Sequence, residues 1–516
     1  MRVRKNGSHL RETFHEAAWE EDVIMSMGRK GSRGAMLPDP GAELAAAGAE
    51  AAAQLPSAAR RSEPPELPEL AEAEVLRHYT RLSQMTLGNV VSNDLGIGTC
   101  TMKYNPAVNE VLARRMADLH PLQDEDTVQG MLEVIWRCEQ VLKAVSGLDR
   151  FSFQPGGGTH GVFTNALIIK AYHEARGEGE QRDEIISTLF SHPCDAGTPA
   201  TAGYKVITLY PEENGYPSLE ALKSVLSERT AGLMITNPED TGLYNPQVGE
   251  FVKAVHEVGG LCAYDQANAN GILGVARARE SGFDLCQFNL HKTFGTPHSC
   301  MGQASGPVGA TEELSAYLPS PLVEFDGTRY RLVAQDDSIG TVRAFHGNAQ
   351  TVLKAYAWAA ALGGEGLEEV ARVAVLNNNY LAHKLKQVRG VDISFDKTNT
   401  DPRLEQVRYS WQQLLEDTGL GTQDVERRMV DFGLQSYHLS HHPWVIPEPF
   451  TLEPSESFSK EDLDEYCEVF EQISREAYTN PDQIRASPHN STVAKLDGYG
   501  PPESLVLSWR AFRDEG

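Results

Sequence analysis

Apolar positions recur along the middle of the chain in two alternating rhythms. Met131, Val134, Ile135, Cys138, Leu142 and Val145 fall on one helical face, and Gly147 supplies a stop. A second helix follows His160 and runs through Leu167, Ile168 and Ile169 to Ala175. Short apolar runs at 184–189, 205–209, 232–236, 261–265 and 285–290 read as strands. Helical stretches at 219–226 and 248–258 separate them, the latter closed by Gly259 and Gly260. Alternating units of this length predict an α/β fold with a large, mainly parallel sheet and helices on both faces. Beyond it, a helical pattern over 352–362 leads toward a smaller C-terminal α+β domain. That domain holds a strand over 391–395, the 445–453 region and a helix over 460–477. The predicted division is an N-terminal extension and connector over 1–75, a large domain over 76–345 and a small domain over 346–516. Within the first, residues 41–70 turn from Ala-rich to Pro- and Glu-rich, which reads as a partly extended connector.

Composition narrows the function classes. A chain of 516 residues with 41% hydrophobic content can bury a large core. Its net charge of −26 argues against a nucleic-acid partner, because no basic excess is available to displace counterions from phosphates. The seven cysteines are scattered and form no CxxC pair, which fits a reducing compartment better than a disulfide framework. No stretch approaches the roughly 18 consecutive apolar residues of a membrane span, and no apolar signal core follows the charged N-terminus. The expectation is a soluble cytoplasmic protein with no membrane association and no metal site.

Candidate chemistry gathers where the strands end. Lys292 directly follows the apolar run 283–290, and Asp265 ends another run 27 residues upstream. A lysine amine can form a Schiff base, and an acidic side chain can hold a pyridinium nitrogen; pyridoxal phosphate needs both. In such sheets ligands bind beyond the carboxyl ends of the strands, where these two residues can converge. Gln154-Pro-Gly-Gly-Gly-Thr-His-Gly161 is a glycine-rich turn opening a helix. Backbone N–H groups there, at Gly157, Gly158 and Thr159, suit a phosphate monoester. His160, just inside that helix, is placed to stack on a flat heteroaromatic ring. Asn237, at the end of a strand, is a candidate donor to the cofactor's phenolate oxygen, although Asn-Pro is also an ordinary turn signal. Taken singly, each has a plain structural reading: a glycine turn, a capping Asp, a surface lysine. It is their occurrence together, in this chain order with an α/β pattern between them, that points to a pyridoxal 5'-phosphate enzyme.

With these residues go longer motifs. They include Arg77-His-Tyr-Thr-Arg-Leu-Ser-Gln84, Thr99-Cys-Thr-Met-Lys-Tyr-Asn-Pro106, Asp118-Leu-His-Pro-Leu-Gln123 and Val375-Leu-Asn-Asn-Asn-Tyr-Leu381. Through them the chain resembles the glycine-cleavage P-protein family, specifically the second subunit of the split bacterial form, from about residue 62 to the C-terminus and more weakly over Met25-Ser-Met-Gly-Arg-Lys-Gly-Ser-Arg33. The resemblance implies a fold-type-I pyridoxal-phosphate transferase architecture. It carries the Schiff-base role to Lys292, the pyridinium contact to Asp265 and ring stacking to His160. His192 joins them as a catalytic candidate, and Asn268 and His291 as cofactor contacts. It further implies decarboxylation of glycine or another small amino acid, with the aminomethyl group passing to the lipoyl group of an H-protein. Expected partners are a first P-protein subunit and that carrier, in a dimer or an α2β2 assembly.

Three departures from the family's usual motifs lie close to this chemistry. A glycine-rich run expected after the lysine is His298-Ser-Cys-Met-Gly-Gln-Ala304 here. The usual Ala-His-Gly-Thr-Asn-Pro is Ser191-His-Pro-Cys-Asp-Ala196, which keeps His192 and adds Pro193 and a charge at Asp195. The usual Asp-Gly-Ala-Asn-Leu-Asn-Ala is Asp265-Gln-Ala-Asn-Ala-Asn-Gly271. They leave a second reading open, a standalone pyridoxal-phosphate enzyme performing decarboxylation, aldol or carbon–carbon bond-forming chemistry without H-protein. A non-catalytic subunit is a third, weighed against by the retention of Lys292, Asp265 and His160.

Overall fold

The computed structural model describes residues 10–11, 14–34, 38–87, 96–97, 103–296, 304–434, 440–492 and 506–515. Strand β1 (Gly96–Ile97) belongs to a small second sheet described below. The principal sheet has seven strands: β2 (Arg150–Ser152), β3 (Glu184–Thr188), β4 (Lys205–Leu209), β5 (Thr230–Thr236), β6 (Leu261–Gln266), β7 (Leu285–Phe288) and β8 (Val308–Ala310). Their spatial order is β2-β8-β7-β6-β5-β3-β4. All neighbours from β7 to β4 are parallel, and β8 runs antiparallel to both β7 and β2. The crossover helices Gly158–Ala175, Cys194–Thr201, Leu219–Val225 and Val248–Glu257 join successive strands.

Burial on both faces follows from the two-residue repeat of a strand. Along β6, Cys262 and Tyr264 enter one apolar core while Leu261 and Ala263 enter the other. On β7, Cys286 and Phe288 part from Leu285 in the same way. A two-stranded antiparallel hairpin, β9 (Leu322–Phe325) and β10 (Tyr330–Val333), follows the principal sheet.

The C-terminal unit has its own antiparallel sheet, in which β1 pairs with β13 (Pro449–Glu453), β13 with β12 (Val407–Ser410) and β12 with β11 (Asp392–Ile393). Trp411, Phe450 and Phe470 stack in its core, partly supplied by the helix Lys460–Thr479. The long helix Ala349–Leu385 bends at Gly363, whose φ of 66° is not helical. Its Ala355, Trp358 and Ala371 pack into the large core, and its Leu381 and Leu385 into the C-terminal core. The buried side chains therefore part between Ala371 and Leu381, whereas the sequence pattern put the domain division at 345/346.

The connector departs from expectation over its first half. Gly41–Gln54 is an α-helix with no buried residue, not extended chain. Alanine is the best helix former, and a helix with no apolar stripe has nothing to bury. The preceding segment is docked: Arg11 pairs with Glu465 on the C-terminal unit, and the Glu16 amide donates to the Asn490 carbonyl. Among the described residues no helix is long and apolar enough to cross a membrane.

Candidate active site

Three adjacent parallel strands end in one row. Thr236 on β5 pairs with Asp265 on β6, and Asp265 pairs with Gln287 on β7. This row marks the carboxyl edge of the sheet, where α/β proteins bind their ligands. One carboxylate oxygen of Asp265 accepts hydrogen bonds from Gln287 Nε2 and the Ala267 amide, both at 2.8 Å. Five residues beyond Gln287 comes Lys292, only 6% exposed. Its turn is tied down on several sides. Leu290 N donates to the Ser305 carbonyl, His291 Nδ1 lies 3.2 Å from the Ser305 amide, and Thr293 Oγ1 accepts from the Ala269 amide. His291 thus fastens the lysine turn to the start of the strand region at 305. A lysine on a turn held this way has its backbone fixed before any ligand arrives.

The glycine-rich turn is close-packed against this edge. A Cβ on Gly158 would meet Asn289 Nδ2 at 2.8 Å, one on Gly156 would meet Arg343 at 2.8 Å, and one on Gly306 would meet the Gly157 carbonyl oxygen at 2.2 Å. The helix Gly158–Ala175 begins here, so its first amides lack intrahelical acceptors and face the turn. Thr159 is exposed at that helix start. His160 is locked on both edges: the Gly156 amide donates to Nδ1 at 3.1 Å, and the Val342 backbone hydrogen-bonds to the ring. Partial burial and the neighbouring Arg343 charge hold its pKa below the usual histidine value, so at neutral pH it is a fixed, uncharged ring.

The turn after β3 closes the other side. The Cys194 amide and thiol approach His192 Nδ1 at 3.2 and 2.9 Å, which makes Nδ1 an acceptor and leaves the ring proton on Nε2. The same thiol lies 3.9 Å from the second oxygen of Asp265. Burial, reinforced by the Lys292 charge, lowers the His192 pKa. Asp195 is buried, and burial together with the charges of Asp265 and Asp240 raises its pKa well above the carboxylate range. The charge expected at Asp195 is therefore a neutral carboxyl. Behind it Asp240 pairs with Arg408 at 3.1 Å and with His441 at 3.2 Å. Burial alone would raise the Asp240 pKa, but the His441 hydrogen bond and the Arg408 charge hold it well below the ordinary value.

Two expected cofactor contacts are occupied by the protein itself. Asn237 binds the backbone of Asn245 through both Oδ1, at 2.8 Å, and Nδ2, at 3.3 Å, closing the 237–245 loop. Asn268 Nδ2 donates to Glu453 on β13 at 2.6 Å, and Asn270 Nδ2 donates to the same oxygen at 2.8 Å. The loop that follows Asp265 is thus fastened to the C-terminal unit. The altered run from His298 lies outside the described residues up to Gln303.

A protein of Pyrococcus horikoshii described as "Probable glycine dehydrogenase (decarboxylating) subunit 2" is 43% identical over 506 residues, covering 97% of this chain and 98% of that protein. The chain belongs to the glycine dehydrogenase (decarboxylating) subunit 2 family. A Pyrococcus abyssi member is 42% identical over the same length. Glycine dehydrogenase subunit 2 likeness thus extends well before residue 62, where the motifs become dense. The family model "Glycine dehydrogenase, C-terminal domain" matches residues 370–494. Among solved structures, a glycine decarboxylase (P-protein) in inhibitor-bound form superposes with a TM-score of 0.68. It is 22% identical and covers 85% of this chain and 100% of that one. A cysteine desulfurase from Escherichia coli gives 0.58 at 13% identity, over 76% and 97% of the two chains. The fold of this subunit 2 member is the fold-type-I architecture of pyridoxal-phosphate enzymes.

The residues present fit that cofactor. An anchored carboxylate, a buried lysine, a fixed neutral ring and a glycine cradle that any Cβ would fill surround one sheet edge. Gln287, Arg343 and Glu453 support these groups and were missed in the sequence. Gln287 left a trace there, as a polar residue inside an apolar strand. Arg343 and Glu453 left none, since each acts on residues far away in the chain.

Proposed function

We propose that this chain decarboxylates glycine with pyridoxal 5'-phosphate and passes the aminomethyl group to a lipoylated carrier of the H-protein kind. A first-subunit-like chain works beside it, in the cytoplasm. The observation that carries the reading is the convergence of Lys292 and tethered Asp265 at one sheet edge, opposite the glycine turn. The cofactor supplies the electron sink that a departing carboxylate requires.

The chain's residues do the rest. The Lys292 amine is the group that holds the cofactor covalently. Asp265, through the oxygen that Gln287 does not engage and that the Cys194 thiol approaches at 3.9 Å, would hold a proton on the ring nitrogen. The first amides of the helix Gly158–Ala175 receive the phosphate, with no side chain at Gly157 or Gly158 to obstruct them. His160, neutral and clamped, covers one ring face. His192, with its proton on Nε2, is positioned to exchange a proton at that atom. A cavity of about 440 Å3 adjoins Arg343 and is lined by Met116, Leu119, His120, Val128 and Met131. It is far larger than glycine needs, and its mixed apolar and polar walls suit the aliphatic arm of a carrier.

Purified protein mixed with pyridoxal phosphate should develop a visible absorption band that Lys292→Ala lacks. If wild-type protein develops none, the cofactor reading fails. Exchange of labelled bicarbonate into glycine, run with and without H-protein and the first subunit, tests the substrate. The altered turn at Cys194 and Asp195, set directly against Asp265, favours one other reading: a carrier-independent pyridoxal-phosphate enzyme. Amino-acid turnover with neither partner present would select it, and strict dependence on both would remove it.

A further inference from the structure

Asp195 is a buried acid that the reaction above does not use. It is 1% exposed, and its Oδ2 has no hydrogen-bond partner among the described residues. Oxygens of Asp195 and Asp265 and the Cys194 sulfur lie within 4.8 Å of one another. Two carboxylates this close, out of water, cannot both ionise cheaply. Asp265 has two donors, the Ala267 amide and Gln287 Nε2, to stabilise its charge, whereas the Asp195 carboxylate has a backbone hydrogen bond from His192 and its Oδ2 has no donor. The charged or titratable groups facing Asp195 are Asp240 from the loop after β5 and Asp265 from β6, with His192 and Cys194 on its own turn. Lys292, beyond the thiol, completes the set.

We propose that Asp195 and Asp265 form a carboxyl pair that keeps one proton in the cofactor-free protein and releases it to solvent when a cationic pyridinium ring settles against Asp265. Asp195 is a positioning residue here: it acts through Asp265, within 4.8 Å, and not on the substrate. The inference rests on the pyridoxal-phosphate reading of the site. Its consequence is thermodynamic. A ligand whose positive ring favours the ionised pair binds more tightly as pH rises, by up to about tenfold per pH unit for one released proton.

The discriminating measurement is the dissociation constant of pyridoxamine 5'-phosphate, which has a ring and phosphate but no aldehyde for Lys292. It is taken across roughly pH 6.5 to 8.5, spanning the range of a raised carboxyl. Wild type should gain up to about tenfold more affinity per pH unit than Asp195→Asn, whose amide has the shape of the protonated acid. Calorimetry of the wild type in buffers of differing ionisation enthalpy gives a second reading that needs no variant, with net proton release expected. Equal slopes in the two proteins, or no net release by the wild type, would overturn the pair. A wild type that shows no visible band with pyridoxal phosphate removes the cofactor reading and this inference with it. A band accompanied by equal slopes removes this inference alone.

Discussion

The turn at 154–161 and the turn at 191–196 both follow strands of the principal sheet, yet they are held by different means. The glycine turn is fixed by close packing: a Cβ would meet the Arg343 guanidinium at Gly156 and the Asn289 amide at Gly158, and one at Gly306 would meet the Gly157 carbonyl. The second turn is set among buried acids. Asp195, Asp240 and Asp265 are buried in or beside it, with Glu239 next to Asp240, and Asp240 is ion-paired, to Arg408 and His441. Shape is therefore intolerant on one side and charge on the other. The sequence departures noted at Cys194 and Asp195 fall on the side where buried charge, not close packing, sets the fit.

The largest way to break this contrast is Gly306→Ala. Its methyl would meet a backbone carbonyl that cannot move aside, so a loss of about 3 kcal/mol in urea unfolding is expected. Cofactor binding should fall with it. Asn268→Ala comes next. Losing the donor to the Glu453 carboxylate should cost about 1.5–3 kcal/mol. The visible band of the loaded protein should keep its position. A shifted band at unchanged stability would return Asn268 to the cofactor.

Glu239 sharpens the acid side. Burial raises its pKa from 4.5 to about 8. The folded protein therefore binds a proton that the unfolded chain has lost across that window, and stability falls as pH rises through it. Glu239→Gln should remove the slope and add on the order of 2 kcal/mol at pH near 8 while adding little at about pH 4.5. Unfolding midpoints at the two pH values decide it. The smallest effect is Gly197→Ala, inside the helix Cys194–Thr201, where a Cβ meets nothing within 4 Å. A gain of about 0.5–1 kcal/mol, read as a raised Tm, is expected. A loss there would mean that the acid side is as close-packed as the glycine side.

The long apolar runs made β3 to β7 legible in the sequence, and with them the edge that carries Asp265 and Lys292. Strands β2 and β8 have three residues each, too few to display a period, and Gly309 interrupts the second. The helix Cys194–Thr201 contains Pro199 and Gly197, which read locally as turn residues. Asn268 looked like a ligand because it follows the candidate Asp265 so closely in the chain. Its acceptor, Glu453, lies 185 positions further along. The neutral state of Asp195 depends on burial and on the charges of Asp265 and Asp240 from distant segments, which no local pattern encodes.

The docking of Arg11 onto Glu465 joins residues 454 positions apart, and β1 waits for β13 in the same way. A ribosome delivers the chain from its first residue onward, so these early segments emerge long before the surfaces that receive them. They must stay unattached until the C-terminal unit that receives them has been made. Contacts of such span form late and slowly. A nascent chain cut short before β13 would leave β1 without its sheet.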